Sequence, residues 1–282
     1  MSKKKKRKQS KLLYVVVIAM IAFGGALAYY AYDYFLYWQD GRAAQENTDA
    51  VRHIFQGQMD DINQLIAFTP QTNAATDAIE GDIDPMFSIS FDVSPLDAAR
   101  ELADNPDIVA YLFIEGTNVS NVVVQGPDNA FYLHRDMFGN RNVNGSLFMD
   151  YRNAPNFTDP NTIVYGHNMN NGTMFHNLRY YMQRDFFEAH PHIKVITDDT
   201  IFVYEIFSAF STHIDFDYIQ VDFEDDEFGE LVEEIVRRSV YDTSVEVSAE
   251  DRILVLSTCT NVNRNTRMVV VGRLAIELSI DD

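Results

Sequence analysis

The longest uninterrupted apolar pattern in the chain is residues 12–32, 21 positions without a charge. As a helix this run crosses a bilayer core of roughly 30 Å. It closes on Tyr29, Tyr30, Tyr32, Tyr34, Tyr37 and Trp38, the amphipathic rings that settle at a membrane surface. Further on, Val51, Ile54, Phe55, Met59, Ile62 and Ile66 fall at helical spacing. They predict an amphipathic helix ending near Thr69-Pro70, with a stripe apolar enough to pack on the domain that follows. Residues 70–93 are mixed and turn-rich, a linker. Ser94-Pro95 then opens a short helix, with Ser as cap and Pro in the first turn, ending near Asp104-Asn105-Pro106.

From there the pattern turns to β. Residues 108–114, 119–125, 131–133, 146–149, 162–165, 193–197, 201–211, 252–258 and 268–280 are rich in Val, Ile, Phe and Tyr. Gly116-Thr117-Asn118 and Asp198-Asp199-Thr200 mark tight turns. Many short strands without βαβ alternation predict a mainly β fold, a closed or partly closed barrel. Two helices interrupt it, at 174–187 and at about 225–239. The second carries Phe228, Leu231, Val232 and Ile235 on one face and begins with acids that complement the helix dipole. The acidic run 224–227 fits no calcium-loop spacing. The sequons at Asn118, Asn144, Asn156 and Asn171 need no explanation beyond an Asn-rich chain.

Charge places the chain relative to a membrane. Of 22 basic residues, seven (Lys3, Lys4, Lys5, Lys6, Arg7, Lys8 and Lys11) lie in residues 1–11 with no acid among them. The positive-inside rule keeps that tail in the cytoplasm and sends the bulk of the chain outside. A cleaved signal peptide is the rival reading, but its apolar core runs only about 7–15 residues. Beyond residue 11, 15 basic residues face 42 acidic ones, a formal −27. So acidic a domain argues against nucleic acid and anionic lipid surfaces as partners.

Cys259 is the single cysteine. It can make no internal disulfide and no multi-thiolate zinc site, which leaves a buried inert thiol, an intermolecular bridge or a nucleophile. It ends the apolar run Leu256-Ser257-Thr258-Cys259, and His167 follows another such run, in Tyr165-Gly166-His167-Asn168-Met169. A thiol needs an imidazole to move protons and a donor for the oxyanion. Arg267 opens the strand after the loop from Cys259 and supplies fixed donors and a permanent charge. His134, His176 and His213 compete with His167, and Arg264 and Arg273 with Arg267. Arg273 lies roughly 20 Å further along the strand.

Taken together, these features resemble the class B sortases over about residues 94–282. The resemblance is carried by Asn105-Pro106-Asp107-Ile108-Val109-Ala110-Tyr111 (Tyr111 standing where tryptophan is usual), by Gly116-Thr117-Asn118 through Val123-Val124-Gln125-Gly126 without the usual proline, and by Phe131-Tyr132-Leu133. It is carried also by Gly145-Ser146-Leu147-Phe148-Met149-Asp150-Tyr151-Arg152, Thr162-Ile163-Val164-Tyr165-Gly166-His167-Asn168-Met169 and Leu256-Ser257-Thr258-Cys259. It implies an eight-stranded sortase-type barrel with N-terminal helices and a long helix between two late strands. It implies a membrane-anchored cysteine transpeptidase, with Cys259 as nucleophile, His167 as general acid/base and Arg267 at the oxyanion. Ser257, Asn129 and Leu133 match positions lining the sorting-signal groove. The implied reaction cleaves an Asn-Pro-X-Thr-type signal at Thr and passes the surface protein, through a thioester, to a cell-wall precursor amine. No metal or organic cofactor is required. Three alternatives stay open: a pilus-polymerising sortase using a pilin lysine, a cysteine hydrolase, and a non-catalytic wall-binding module. A papain-like fold is disfavoured, because there the Cys sits early, on a helix, ahead of the His.

Overall fold

The computed structural model describes residues 2–68, 89–90, 94–260 and 265–281. The chain divides into two units, residues 1–43 and 44–282. Helix α1 spans Ser2–Phe68. Its stretch Leu13–Gln56 contains a window long and apolar enough to cross a membrane. In the first unit Leu13, Ile18 and Phe23 all stand with about two-thirds of their surface exposed. A contiguous surface of that kind calls for a non-aqueous neighbour.

The second unit is built on a barrel. Its elements are β1 (Ile89–Ser90), α2 (Pro95–Ala103), β2 (Ile108–Phe113), β3 (Ser120–Val124), β4 (Leu147–Met149), β5 (Asn161–Tyr165), α3 (Arg184–Ala189), β6 (His192–Ile196), β7 (Thr200–His213), α4 (Glu227–Arg238), β8 (Ile253–Cys259) and β9 (Thr266–Asp281). Around the barrel the order is β9-β7-β6-β2-β3-β4-β5-β8, and β8 pairs with β9 to close it. The eight-stranded barrel expected from the sequence is therefore present, and α4 lies between two late strands. Most pairings are antiparallel, but β3–β4 and β5–β8 are parallel. Parallel neighbours need a long connection, and the β5–β8 crossover holds α3, β6, β7 and α4.

Three sequence expectations need correction. Residues 131–133 form no strand: Tyr132–His134 is a 3-10 turn. Asp128 Oδ1 accepts from the backbone N–H groups of Ala130 and Phe131 at 2.8 Å each and curls the chain before a ladder can form. The helix expected over 174–187 is a 3-10 run, Phe175–Met182, followed by α3. Met174 enters that run with φ at +55°, outside the right-handed helical region. The stretch expected as linker contributes β1, which pairs in parallel with the end of β9. The rest of that stretch lies outside the described residues.

The expected cap is in place: the Ser94 side chain accepts from Asp97 N–H at the start of α2. The stripe of α1 packs as expected at Val51 and Phe55, both fully buried, while Met59, Ile62 and Ile66 lie outside the described side chains. Phe55 stacks on Tyr111 of β2, ring centroids 3.9 Å apart and planes 3° from parallel. The Tyr111 hydroxyl meets Ser120 Oγ across the β2–β3 pair, and Arg52 of α1 donates to the same Ser120 oxygen. A tyrosine at 111 thus serves both the apolar stack and a buried polar contact. A second apolar cluster joins Ile163 of β5, Ile253 and Val255 of β8, and Val269 and Val271 of β9 to the buried face of α4.

Phe55→Ala is expected to cost about 3 kcal/mol of stability, the usual scale for deleting a buried phenyl ring. Exposed Leu102→Ala in α2 should cost within about 0.5 kcal/mol. Urea unfolding of the two variants decides it; equal midpoints would mean that α1 does not contribute to the core.

Candidate active site

The site follows from one pairing. Because β5 and β8 are parallel, both strands leave the barrel at the same end. Their register sets Tyr165 opposite Ser257. The ladder then continues past the end of β5: Gly166 N–H donates to the Ser257 carbonyl at 3.2 Å. The Asn168 side-chain amide donates to the Cys259 carbonyl at 3.1 Å. His167 sits between those two tethers, in the register position of Cys259. On the other side β9 runs antiparallel and begins where β8 ends, with Cys259 directly opposite Arg267. Directly opposed residues of such a pair share a face, their Cβ atoms about 5 Å apart. Thiol, imidazole and guanidinium thus come from three adjacent strand ends, and Cys259 is exposed there.

The Tyr-Gly-His sequence has a packing reason. A Cβ on Gly166 would lie 2.5 Å from Leu147 Cδ2 and 2.8 Å from Phe175 Cδ2. Only glycine lets the chain pass there and deliver His167. The ring is then fixed from its far side: His167 Nε2 lies 2.7 Å from the Leu133 carbonyl oxygen. A carbonyl only accepts, so Nε2 carries the hydrogen and Nδ1 is left to exchange protons. The Leu133 carbonyl is itself held tightly. Gly145, with φ at +58°, passes so close that a Cβ there would lie 2.6 Å from that oxygen. Burial pushes the His167 pKa below its usual 6.5; the Leu133 carbonyl raises it and the neighbouring His134 lowers it further. His134 stacks beside His167, centroids 5.7 Å apart and planes 14° from parallel.

The other sequence candidates take other positions, although His213 at the end of β7 stays near, paired with Thr266 beside Arg267. His176 is buried in the 3-10 run against Tyr180. His213 is half exposed and faces Asp215 at 2.9 Å. Arg273 lies at the opposite end of the β8–β9 pair, opposite Ile253, where it meets Glu205 and the Glu246 carbonyl. Arg264 falls outside the described residues. Ser257 is buried two residues before Cys259 and shares a 2.8 Å hydrogen bond with the hydroxyl of Tyr218. Leu133 reaches the site through its carbonyl, and Asn129 lies in the same segment of chain. The Asn129 amide is bonded on both ends, Nδ2 to Asp150 at 2.9 Å and Oδ1 from Tyr151 N–H at 3.1 Å. Among the described residues no cluster of three His, Cys, Asp or Glu side chains is arranged to hold a metal ion.

Two elements of the site have partners that the sequence does not reveal. Tyr218 comes from the loop after β7 and sits within the electrostatic reach of both Arg267 and Cys259; burial pushes its hydroxyl pKa up. Nothing in Asp217-Tyr218-Ile219-Gln220 marks it. Asp150 and Arg152 are visible in the motif Met149-Asp150-Tyr151-Arg152, but only the fold shows what they join.

Comparison with known proteins points to one family. A sortase domain family model matches residues 112–275. Sortase B of Listeria monocytogenes is 40% identical over 182 residues, covering 63% of this chain and 74% of that protein. Sortase B of Staphylococcus aureus is 36% identical over 173 residues, covering 60% and 71%. Among solved structures, a Staphylococcus aureus sortase B–substrate complex superposes with a TM-score of 0.60 at 34% identity, covering 64% of this chain and 84% of that one.

The depressed His167 pKa is open to direct measurement. An NMR titration of the ring protons is expected to give a midpoint below 6.5. His134→Gln, which removes the neighbouring imidazole, should move that midpoint upward. A wild-type midpoint at or above 6.5 would contradict the burial of the ring.

Proposed function

The chain belongs to the sortase family of transpeptidases, and on that premise we propose that it is a membrane-anchored enzyme using Cys259, His167 and Arg267 to move a surface protein onto a cell-wall amine. The observation that supports this most directly is the convergence of the three residues: Cys259 opposite Arg267 in the β8–β9 register, and His167 held beside Cys259 by the Gly166 and Asn168 tethers.

In this mechanism the Cys259 thiolate attacks the threonine carbonyl of an Asn-Pro-X-Thr-type sorting signal. Negative charge gathers on the carbonyl oxygen, where the Arg267 guanidinium offers a permanent charge and a fixed pair of donors. The protonated His167 ring gives a proton from Nδ1 to the departing amine. The C–N bond breaks and a thioester remains. An incoming amine surrenders a proton to His167 and attacks the thioester; the C–S bond breaks and the Cys259 thiolate returns beside the protonated ring. Ser257, Asn129 and Leu133 line the groove that holds the signal. The Staphylococcus aureus relative is known with a substrate bound, which supports a groove of this kind here. The basic residues 1–11 stay in the cytoplasm, residues 12–32 span the membrane, residues 33–93 supply the connecting helix and linker, and residues 94–282 form the catalytic domain outside.

Cys259→Ala should abolish cleavage of an Asn-Pro-X-Thr-type peptide with the fold retained. His167→Ala should lose about 10²–10⁴-fold in kcat/KM, the usual scale for acid–base groups, and His134→Ala far less. Near-normal turnover by the Cys259 variant, or the reverse ranking of the histidines, would remove the corresponding assignment.

Arg267→Ala should lose on the order of 10²–10³-fold and Arg273→Ala little. Arg267→Lys should restore only part of the loss, because a point charge lacks the two-pronged donors. Product masses from a panel of signal peptides and amines identify the acceptor. A pilin-type lysine consumed in preference to cell-wall precursor amines would redirect the reading to pilus assembly, and water as the sole acceptor to hydrolysis.

A further inference from the structure

Asp150 follows β4 and has no exposed surface at all. A buried carboxylate is costly unless every lone pair is met, and here each is. Its Oδ1 accepts from the Arg152 backbone N–H at 3.1 Å and from Arg152 Nε at 2.8 Å. Its Oδ2 accepts from Arg152 Nη2 at 2.8 Å, the Tyr165 hydroxyl at 2.8 Å and the Asn129 amide at 2.9 Å. Burial alone would raise its pKa, but the Arg152 guanidinium and the other donors hold it below the usual carboxylate range. The donors around it favour the charged form of the group.

What the anion joins is informative. Tyr165 belongs to β5 and lies in register with Ser257. Asn129 belongs to the segment that continues to Leu133, whose carbonyl holds His167. With Nδ2 bonded to Asp150 and Oδ1 to Tyr151 N–H, the Asn129 amide has a fixed orientation and one N–H left to donate. Arg152 extends past Asp150 to donate to the Ile219 carbonyl at 2.9 Å. It thereby ties down the segment that carries Tyr218 over Ser257. One carboxylate therefore reaches a strand under the site and, directly or through Arg152, two separate loops, and it bonds to none of the three reactive groups.

We propose that Asp150 is a positioning residue that sets the width and polarity of the groove: it aims the Asn129 amide into it and, through Arg152, holds the Tyr218–Gln220 segment as its opposite wall. The inference rests on the reading of Asn129 and Ser257 as groove positions. It makes Asp150 a determinant of how tightly the peptide is held, leaving the chemistry at Cys259 to other groups.

Asp150→Asn keeps the shape and removes the charge. It is expected to raise KM for a signal peptide about tenfold, the scale of one charge-assisted hydrogen bond, with kcat changed less than KM. Asn129→Ala, which leaves the buried ion pair intact, should raise KM similarly, and the double variant should be little worse than either one. Hydrogen exchange needs no substrate. In Asp150→Asn it should quicken at 128–131 and 217–221 while β8 and β9 keep their protection. Arg152→Lys, which keeps the charge but loses the reach to Ile219, should quicken exchange at 217–221 alone. Unchanged KM in a folded Asp150→Asn, strictly additive effects with Asn129→Ala, or exchange quickened evenly across the barrel would overturn the proposal. Should the wild type cleave no signal peptide, the reading of the reaction fails, and the exchange pattern by itself still decides whether Asp150 holds the two segments.

Discussion

Five residues of β5 lie parallel to five of β8, Asn161 with Ile253 through Tyr165 with Ser257, and the geometry of the site depends on that pairing. Two antiparallel strands would have left the barrel at opposite ends, with His167 and Cys259 a strand length apart. Parallel pairing puts both exits side by side. The antiparallel return of β9 then starts at the same end and brings Arg267 to the thiol. The long crossover between β5 and β8 is the topological condition for this arrangement. It also contributes α4, whose apolar face packs over the same side of β8 and β9, and the loop that carries Tyr218.

Charge around the thiol is arranged sparingly for so acidic a protein. Arg267 is the permanent cation opposite it. His167 is a weak base by placement, because it is half-buried, stands beside another imidazole and is oriented by a neutral carbonyl. A carboxylate in the place of that carbonyl would stabilise the imidazolium far more strongly. The one fully buried anion nearby, Asp150, spends its field on Arg152 instead. Burial and the neighbouring imidazole thus both favour the neutral form of the ring, and the Leu133 carbonyl only partly offsets them.

Much of this was legible in the sequence wherever a local rule met no rival. Ser94-Pro95 capped a helix, and the periodicity at 225–239 matched α4 at Glu227–Arg238. The Val-rich runs became barrel strands, and the strand after the Cys259 loop brought Arg267 back. The failures have local causes. Phe131-Tyr132-Leu133 has strand composition, but Asp128 upstream offers its carboxylate to the backbone and turns it. Residues 174–187 have helical composition, but the β-bridge of Asn168 with Met174 and the left-handed Met174 start them in the wrong conformation. Tyr218 and Asp150 act through partners about 39 and 21 residues away in sequence, Ser257 and Asn129. No window of neighbouring residues contains that information.

The group that orients His167 belongs to the main chain at Leu133. A survey of side-chain replacements would pass over it, since every amino acid carries the same carbonyl. Its sensitive point lies at Gly145, where any side chain would press on that oxygen. The orientation of the imidazole is thus robust to substitution at the residue that provides it. It is fragile at a residue with no side chain, in the turn that passes over that oxygen.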